Sequence, residues 1–170
     1  MTRVRRRLAL REIHATMTLG RCLARIVEAG DILLLSGDLG AGKTTLAKAL
    51  ASGLGIDERE VTSPSFSLIH EHQQGRLPLV HVDLYRLGPD AGASETGIED
   101  YLDGTNLLII EWAEYLKDPA ALEGLVIRLR WVDECAREAD LEGAAAIWEG
   151  RLTVLDTCMK ETIKNEQSGI

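Results

Sequence analysis

The residues most clearly able to do chemistry lie at Gly37-Asp38-Leu39-Gly40-Ala41-Gly42-Lys43-Thr44, a full match to the pattern GxxxxGK[ST]. Glycines let a backbone turn tightly and offer N–H groups to phosphate oxygens, and a helix opening there adds about half a positive charge. In such a loop Lys43 bridges the β and γ phosphates and the Thr44 hydroxyl ligates Mg2+. The segment predicts a nucleotide-phosphate site. Its position supports this, because it follows an apolar run and opens a helical pattern.

A loop of this kind needs a carboxylate for the magnesium shell, at the end of an apolar strand beside it. Two acids qualify. Leu79-Val80-His81-Val82 ends at Asp83, and Leu107-Leu108-Ile109-Ile110 ends at Glu111. Spacing alone does not say which touches the metal and which positions water or acts from behind. The hydroxyls of Thr62-Ser63-Pro64-Ser65-Phe66 have two readings, sensing of a γ phosphate as switch loops do or a plain turn entering a strand. His70 and His72 share a strand face with His81 nearby, which raises a metal site, but no third ligand at helical spacing supports it.

These groups need elements to position them, and the hydrophobic pattern supplies an α/β scaffold. Leu19, Cys22, Leu23, Ile26 and Val27 recur at helical spacing and predict a helix from Thr16 to Ala29, with Gly30 at its end. Ile32 to Leu35, apolar on both faces, reads as a central strand of a parallel sheet. Ser36 to Gly42 then forms the loop, and Lys43 to Leu54 a second helix with Leu46, Ala49, Leu50 and Leu54 on one face. Phe66 to His72 and Leu77 to Tyr85 flank Gln73-Gln74-Gly75-Arg76 as an antiparallel hairpin. Gly88 to Gly97 reads as a loop, Ile98 to Leu102 as a short helix, and Leu107 to Ile110 as another buried strand. Leu125 to Val132 and Arg151 to Asp156 alternate as strands near a sheet edge. The expected fold is a mixed, mostly parallel central sheet flanked by helices, with an antiparallel hairpin.

Length and composition bound the rest. At roughly 100 to 200 residues per domain, 170 residues make one domain, with 45% hydrophobic and 27% charged residues as in an ordinary globular protein. The boundaries read as a basic segment 1–15, a domain 16–159 and a tail 160–170 that frays. The net charge of −8 is the wrong sign for a protein whose whole surface grips nucleic acid. Residues 1–11 carry Arg3, Arg5, Arg6, Arg7 and Arg11 with no acid, and a solvated tail is the expected reading. Cys22, Cys135 and Cys158 are odd in number and widely spaced, which fits neither a disulfide framework nor a zinc site and suggests a reducing cytoplasm. Apolar runs fall far short of the roughly 20 residues that span a bilayer, so no membrane role is expected.

The text GDLGAGKTT, SPSF at Ser63 to Phe66, HVDLYRL at His81 to Leu87, GIEDYL at Gly97 to Leu102 and Glu111-Trp112, in this order and spacing, resembles the bacterial TsaE family, also called YjeE. The specificity lies in the combination, which spans Thr16 to Arg137. The resemblance implies a P-loop NTPase-like fold that binds ATP and Mg2+, hydrolyses slowly and docks on the TsaD–TsaB pair. That pair threonylcarbamoylates the adenosine beside the tRNA anticodon, so tRNA is met only indirectly through the complex.

By matching motifs, the resemblance implies that Gly40, Ala41, Gly42, Lys43, Thr44 and Thr45 hold phosphates. Lys43, Asp83 and Glu111 form the catalytic set, with Thr44 and Glu111 on magnesium and Asp83 near the reacting phosphate. Trp112 lines the nucleotide site, and weaker alignment adds Thr16 near the base and Arg137 near the nucleotide. Ser65 stands where members usually carry Thr and keeps the hydroxyl. Beyond Arg137 the resemblance fades, and Glu138 to Ala146 has no functional reading.

The alternative from another class is a small-molecule or nucleotide kinase, which uses the same Mg–ATP cradle but needs a lid with clustered arginines. Here Arg86, Arg128, Arg130 and Arg137 are scattered and Gly88 to Gly97 is acidic. A nucleotide-gated binding module with negligible turnover is a third reading. A GTPase is disfavoured by the lack of an NKxD segment.

Overall fold

The computed structural model describes residues 2–62, 64, 67–89 and 93–168. In chain order the elements are β1 (Arg3–Leu10), α1 (Ile13–Leu23), β2 (Ile32–Ser36), α2 (Lys43–Gly53), β3 (Ile69–His72) and β4 (Leu79–Asp83). There follow α3 (Ala93–Thr96), β5 (Leu107–Glu111), β6 (Leu125–Trp131), β7 (Arg137–Ala144) and α4 (Ala145–Ser168). Short 3-10 turns at Ile98–Tyr101, Ala113–Tyr115 and Pro119–Leu122 complete the set.

Strands apolar on both faces must be covered on both sides, and they occupy the middle of the sheet. The order is β1-β7-β6-β2-β5-β4-β3. The inner strands β6, β2, β5 and β4 run parallel, while β7 and β1 on one side and β3 on the other pair antiparallel. This is the α/β arrangement expected from the sequence, including the hairpin of β3 with β4. One sheet face packs Leu33, Leu35, Ile109 and Ile127 against Leu19, Leu23, Leu46, Leu50, Trp148 and Leu152 from the helices. The other buries Leu34, Val80, Val82, Leu108 and Ile110 with Ile98, Ala113 and Leu116 from the short turns.

Several expectations are corrected. The basic segment 1–15 is not a tail, because Arg3–Leu10 forms β1 in antiparallel register with β7, Arg3 opposite Ala144 and Leu10 opposite Arg137. Alternation explains it: Val4 and Leu10 face the core, while Arg3, Arg5 and Arg7 point to solvent above acids on β7. Arg3, Arg5 and Arg128 converge on Glu142 at 2.7, 3.1 and 3.3 Å, and Arg7 reaches Asp140 at 2.8 Å. The stretch Glu138 to Ala146, without a reading from sequence, is the strand that receives these arginines and the start of the last helix.

The expected strand Arg151 to Asp156 is part of α4, which runs to Ser168 through the segment expected to fray. Trp148, Leu152, Leu155 and Met159 recur every three or four residues and are buried. Gly143 makes room for the first of these, since a Cβ there would sit 2.4 Å from Trp148 Cδ1. The first helix begins and ends earlier than the pattern suggested, at Ile13–Leu23, with Glu12 at its N-cap.

A further correction concerns the cysteines. Cys22 on α1 and Cys158 on α4 form a disulfide with Cα atoms 5.8 Å apart, 136 residues apart in sequence, and Cys135 is free and exposed. Wide spacing along a chain says nothing about proximity across a fold. Among the described residues no helix is long and apolar enough to cross a membrane.

Two measurements check this architecture. Closing so long a loop typically contributes about 2–4 kcal/mol, so reduction, or Cys22→Ser with Cys158→Ser, should lower Tm in thermal unfolding. For β1, burial pushes the Glu142 carboxyl up, but Arg5, Arg128 and Arg3 outweigh it and hold the pKa below its ordinary value of 4.5. A lowered folded pKa stabilises fully above the unfolded value and is lost as pH falls through the folded one. Glu142→Gln should therefore flatten the acid side of the stability profile in urea unfolding.

Candidate functional site

The glycine-rich loop runs from the C-terminal end of β2 to the N-terminus of α2, and its path requires glycine at both ends. Gly37 has φ 137°, and a Cβ there would lie 2.2 Å from the Leu129 carbonyl oxygen. Gly42, the residue before α2, has φ 105°. Between them the Ala41 N–H donates to the Asp38 carbonyl at 3.0 Å. The loop is thus shaped by backbone, and the first turn of α2 opens toward it.

Lys43, only 4% exposed, folds back across this loop. Its Nζ donates to the Gly37 carbonyl and, at 3.0 Å, to that of Asp38, and lies 3.7 Å from the centroid of the Trp112 ring. Burial lowers the Lys43 pKa from its ordinary value, while Glu114, Glu111, Asp83 and Asp38 pull it upward. These acids favour the charged form of the ammonium against its burial.

The parallel pairing of β4 with β5 sets Asp83 opposite Glu111, and β5 lies directly beside β2, from which the loop springs. That topology separates the two acids, which spacing could not. Glu111, 1% exposed, accepts from the Thr44 hydroxyl at 2.8 Å through Oε2. Asp83, 3% exposed, accepts the Tyr85 N–H at 3.0 Å. A hydroxyl and a carboxylate side by side form a hard oxygen donor set, which suits an ion that takes one or two carboxylates, phosphates and waters. These residues fit magnesium by donor type.

Lys43, Thr44, Asp83, Glu111 and Trp112 border one cavity of about 230 Å³. Thr16 and Arg137 border a second of about 500 Å³ on the other side of the loop, and Gly40, Gly42 and Thr45 border both. Thr16 reaches the loop because α1 packs unusually close to α2: a Cβ on Gly20 would sit 2.7 Å from Ala49 Cβ. Each residue that the resemblance assigned to the nucleotide site therefore borders one of two cavities that share Gly40, Gly42 and Thr45. The Ser63, Ser65 and Phe66 positions of the expected switch segment lie outside the described residues.

Several neighbours escaped sequence reasoning. Glu114 accepts the Gly37 N–H at 3.1 Å, and Trp131 carries the Arg137 guanidinium 3.5 Å above its ring and approaches Gly40. Tyr85 and Tyr115 flank Trp112 with ring centroids at 4.9 and 5.3 Å. Trp112 itself has φ 58°, a left-handed backbone that is strained for a bulky residue. Alternation along β6 and the aromatic at the end of β5 were the available signals.

The histidines separate. Among the described residues no group of three or more His, Cys, Asp or Glu is arranged to hold a metal. His70 and His72 meet edge to face at 6.4 Å on β3. His81 instead puts Nε2 2.8 Å from Glu111 Oε1.

Comparison with known proteins adds an independent line. Residues 10–139 match the family model described as threonylcarbamoyl adenosine biosynthesis protein TsaE. The chain is 38% identical over 123 residues to the tRNA threonylcarbamoyladenosine biosynthesis protein TsaE of Bacillus subtilis, covering 72% of this chain and 76% of that one. It is 40% identical over 136 residues to the protein of the same name from a Nostoc species, with 78% and 82% covered. The crystal structure of Bacillus subtilis YdiB is similar with a TM-score of 0.74 at 28% identity, over 95% of this chain and 99% of that one.

Glu111→Ala strands the Thr44 hydroxyl and His81 Nε2 without their buried acceptor, at a cost of about 1–3 kcal/mol for each orphaned group. Glu111→Gln keeps a side chain of the same shape able to contact both. Urea unfolding should rank wild type, Glu111→Gln and Glu111→Ala in falling order of stability.

Proposed function

Since this chain belongs to the TsaE family, we propose that it is a slow Mg–ATP hydrolase that supports a TsaD–TsaB pair in threonylcarbamoylation of the adenosine beside the tRNA anticodon. The observation that carries the reading is the meeting of Thr44 and Glu111 at 2.8 Å beside a complete phosphate loop with its lysine buried in place. In this reading the N–H groups of Gly40 to Thr45 receive the phosphates, and the Lys43 ammonium turns from the Gly37 and Asp38 carbonyls to phosphate oxygens. Thr44 and Glu111 would hold magnesium, whose charge would offset that of the phosphate oxygens. Asp83 lies at the end of the neighbouring strand, where it orients the water that attacks.

The second cavity takes the nucleoside, with Thr16 toward the base and Arg137 over Trp131 at its wall. The net charge of −8 supports contact with tRNA through the complex rather than by this chain. The proposed setting is the cytoplasm, where tRNA is modified; the cysteines no longer support it, since Cys22 and Cys158 pair.

Hydrolysis of ATP by the purified chain, alone and with TsaD and TsaB, tests the reading. Slow turnover that changes on adding the pair and drops about 100-fold or more in Lys43→Ala is expected. Rapid phosphate transfer to a small acceptor, indifferent to TsaD and TsaB, would replace it with the kinase reading. Binding of ATP without turnover in either condition would make the chain a nucleotide-gated binding module.

A further inference from the structure

A buried carboxylate needs partners for both of its oxygens, since an ionised group without them is strongly disfavoured away from water. Glu111 has two that are well placed. Oε2 takes the Thr44 hydroxyl and Oε1 faces His81 Nε2, both at 2.8 Å. The second contact comes from the layer beneath the site. His81 is fully buried on β4, two residues before Asp83 on the same strand face. Because Asp83 is the register partner of Glu111, His81 stands diagonally behind the carboxylate, on the core side of it.

The other ring nitrogen completes the argument. His81 Nδ1 is buried and has no hydrogen-bond partner among the described residues. Among the described residues the hydrogen-bonding contact of this ring is therefore the one to Glu111. With Glu111 ionised, as a magnesium ligand must be, the carboxylate can only accept and Nε2–H donates.

We propose that His81 is a positioning residue that clamps Oε1 of Glu111 and so fixes Oε2 toward Thr44, where the metal is held. This rests on the Mg–ATP reading of the same site. Without the clamp, the glutamate side chain can rotate and presents its oxygens to the ion in several poses. Partners that orient a ligand in this way typically govern about 10–100-fold in metal affinity.

Two amide substitutions separate positioning from packing. His81→Gln can place its amide nitrogen near the location of Nε2, whereas the amide of His81→Asn ends near the location of Nδ1, short of Glu111. Both are polar and differ by one methylene. The readout is binding of Mn2+, a paramagnetic stand-in for Mg2+, to the full chain with the non-hydrolysable analogue AMP-PNP, followed by electron paramagnetic resonance. AMP-PNP affinity in EDTA and Tm are measured alongside.

The expected result is a loss of about 10–100-fold in Mn2+ affinity for His81→Asn, near-wild-type affinity for His81→Gln, and unchanged metal-free nucleotide affinity in both. Equal Mn2+ affinity in the two variants overturns the proposal, as does a parallel fall of metal and metal-free nucleotide binding. If His81→Asn does not fold, His81→Gln decides, because a tenfold loss there in a folded protein overturns the clamp and retained affinity supports it. Failure of the wild type to bind Mn2+ with AMP-PNP is a different result, which removes the ATP reading and this proposal with it.

Discussion

A glutamate carboxylate buried at the C-terminal end of β5 makes demands that reach through the sheet. It must stand beside the strand that launches the phosphate loop, so that Thr44 on the first turn of α2 can donate to it. It must also have a donor behind it, which β4 provides through His81. Both conditions are met only if β2, β5 and β4 are consecutive, parallel and in the observed register. A one-residue slip of β4 would turn His81 and Asp83 to the opposite sheet face and bring Val82 into the site. The apolar residues between them, Val80 and Val82 against Leu108 and Ile110, bind the register to the second core.

Backbone strain also falls at this end of β5. The chain leaves β5 through Trp112 in a left-handed conformation, which costs on the order of 1–3 kcal/mol. Its indole is held between Tyr85 and Tyr115 and under the Lys43 ammonium. The lysine is therefore anchored by an aromatic face and two carbonyls rather than by a carboxylate. Such contacts are easier to exchange for phosphate oxygens than a buried ion pair, whose rupture would leave a charge unmatched.

Much of this was legible in the sequence because the signals are local. A phosphate loop after a doubly apolar run, and acids closing two more such runs, specify strand ends without knowledge of the pairing. What was not legible depended on pairing across the sheet. The arginines of β1 looked like a solvated tail because their acidic complements, Glu138, Asp140 and Glu142, lie more than 130 positions later, on a strand whose alternation passed unread. Arg151 to Asp156 looked like a strand because six residues cannot distinguish a short alternation from a helix turn, whereas Trp148 to Met159 can. His81 was weighed with the other histidines as a metal ligand, since nothing in sequence says which neighbour a strand residue meets diagonally.

The elements outside the parallel core share a mechanical role. The helix α1 touches the loop at one end, where Thr16 lies beside Gly42, and is pressed onto α2 through Gly20. Further along, Cys22 ties it to α4, and α4 is itself seated on β7 by Trp148 over Gly143. Since β7 carries Arg137 to the wall of the second cavity, Thr16 and Arg137 are the two ends of one covalently and sterically closed circuit. The helix α4 is thus linked to the side of the loop where Thr16 and Arg137 lie, although none of its described residues borders either cavity.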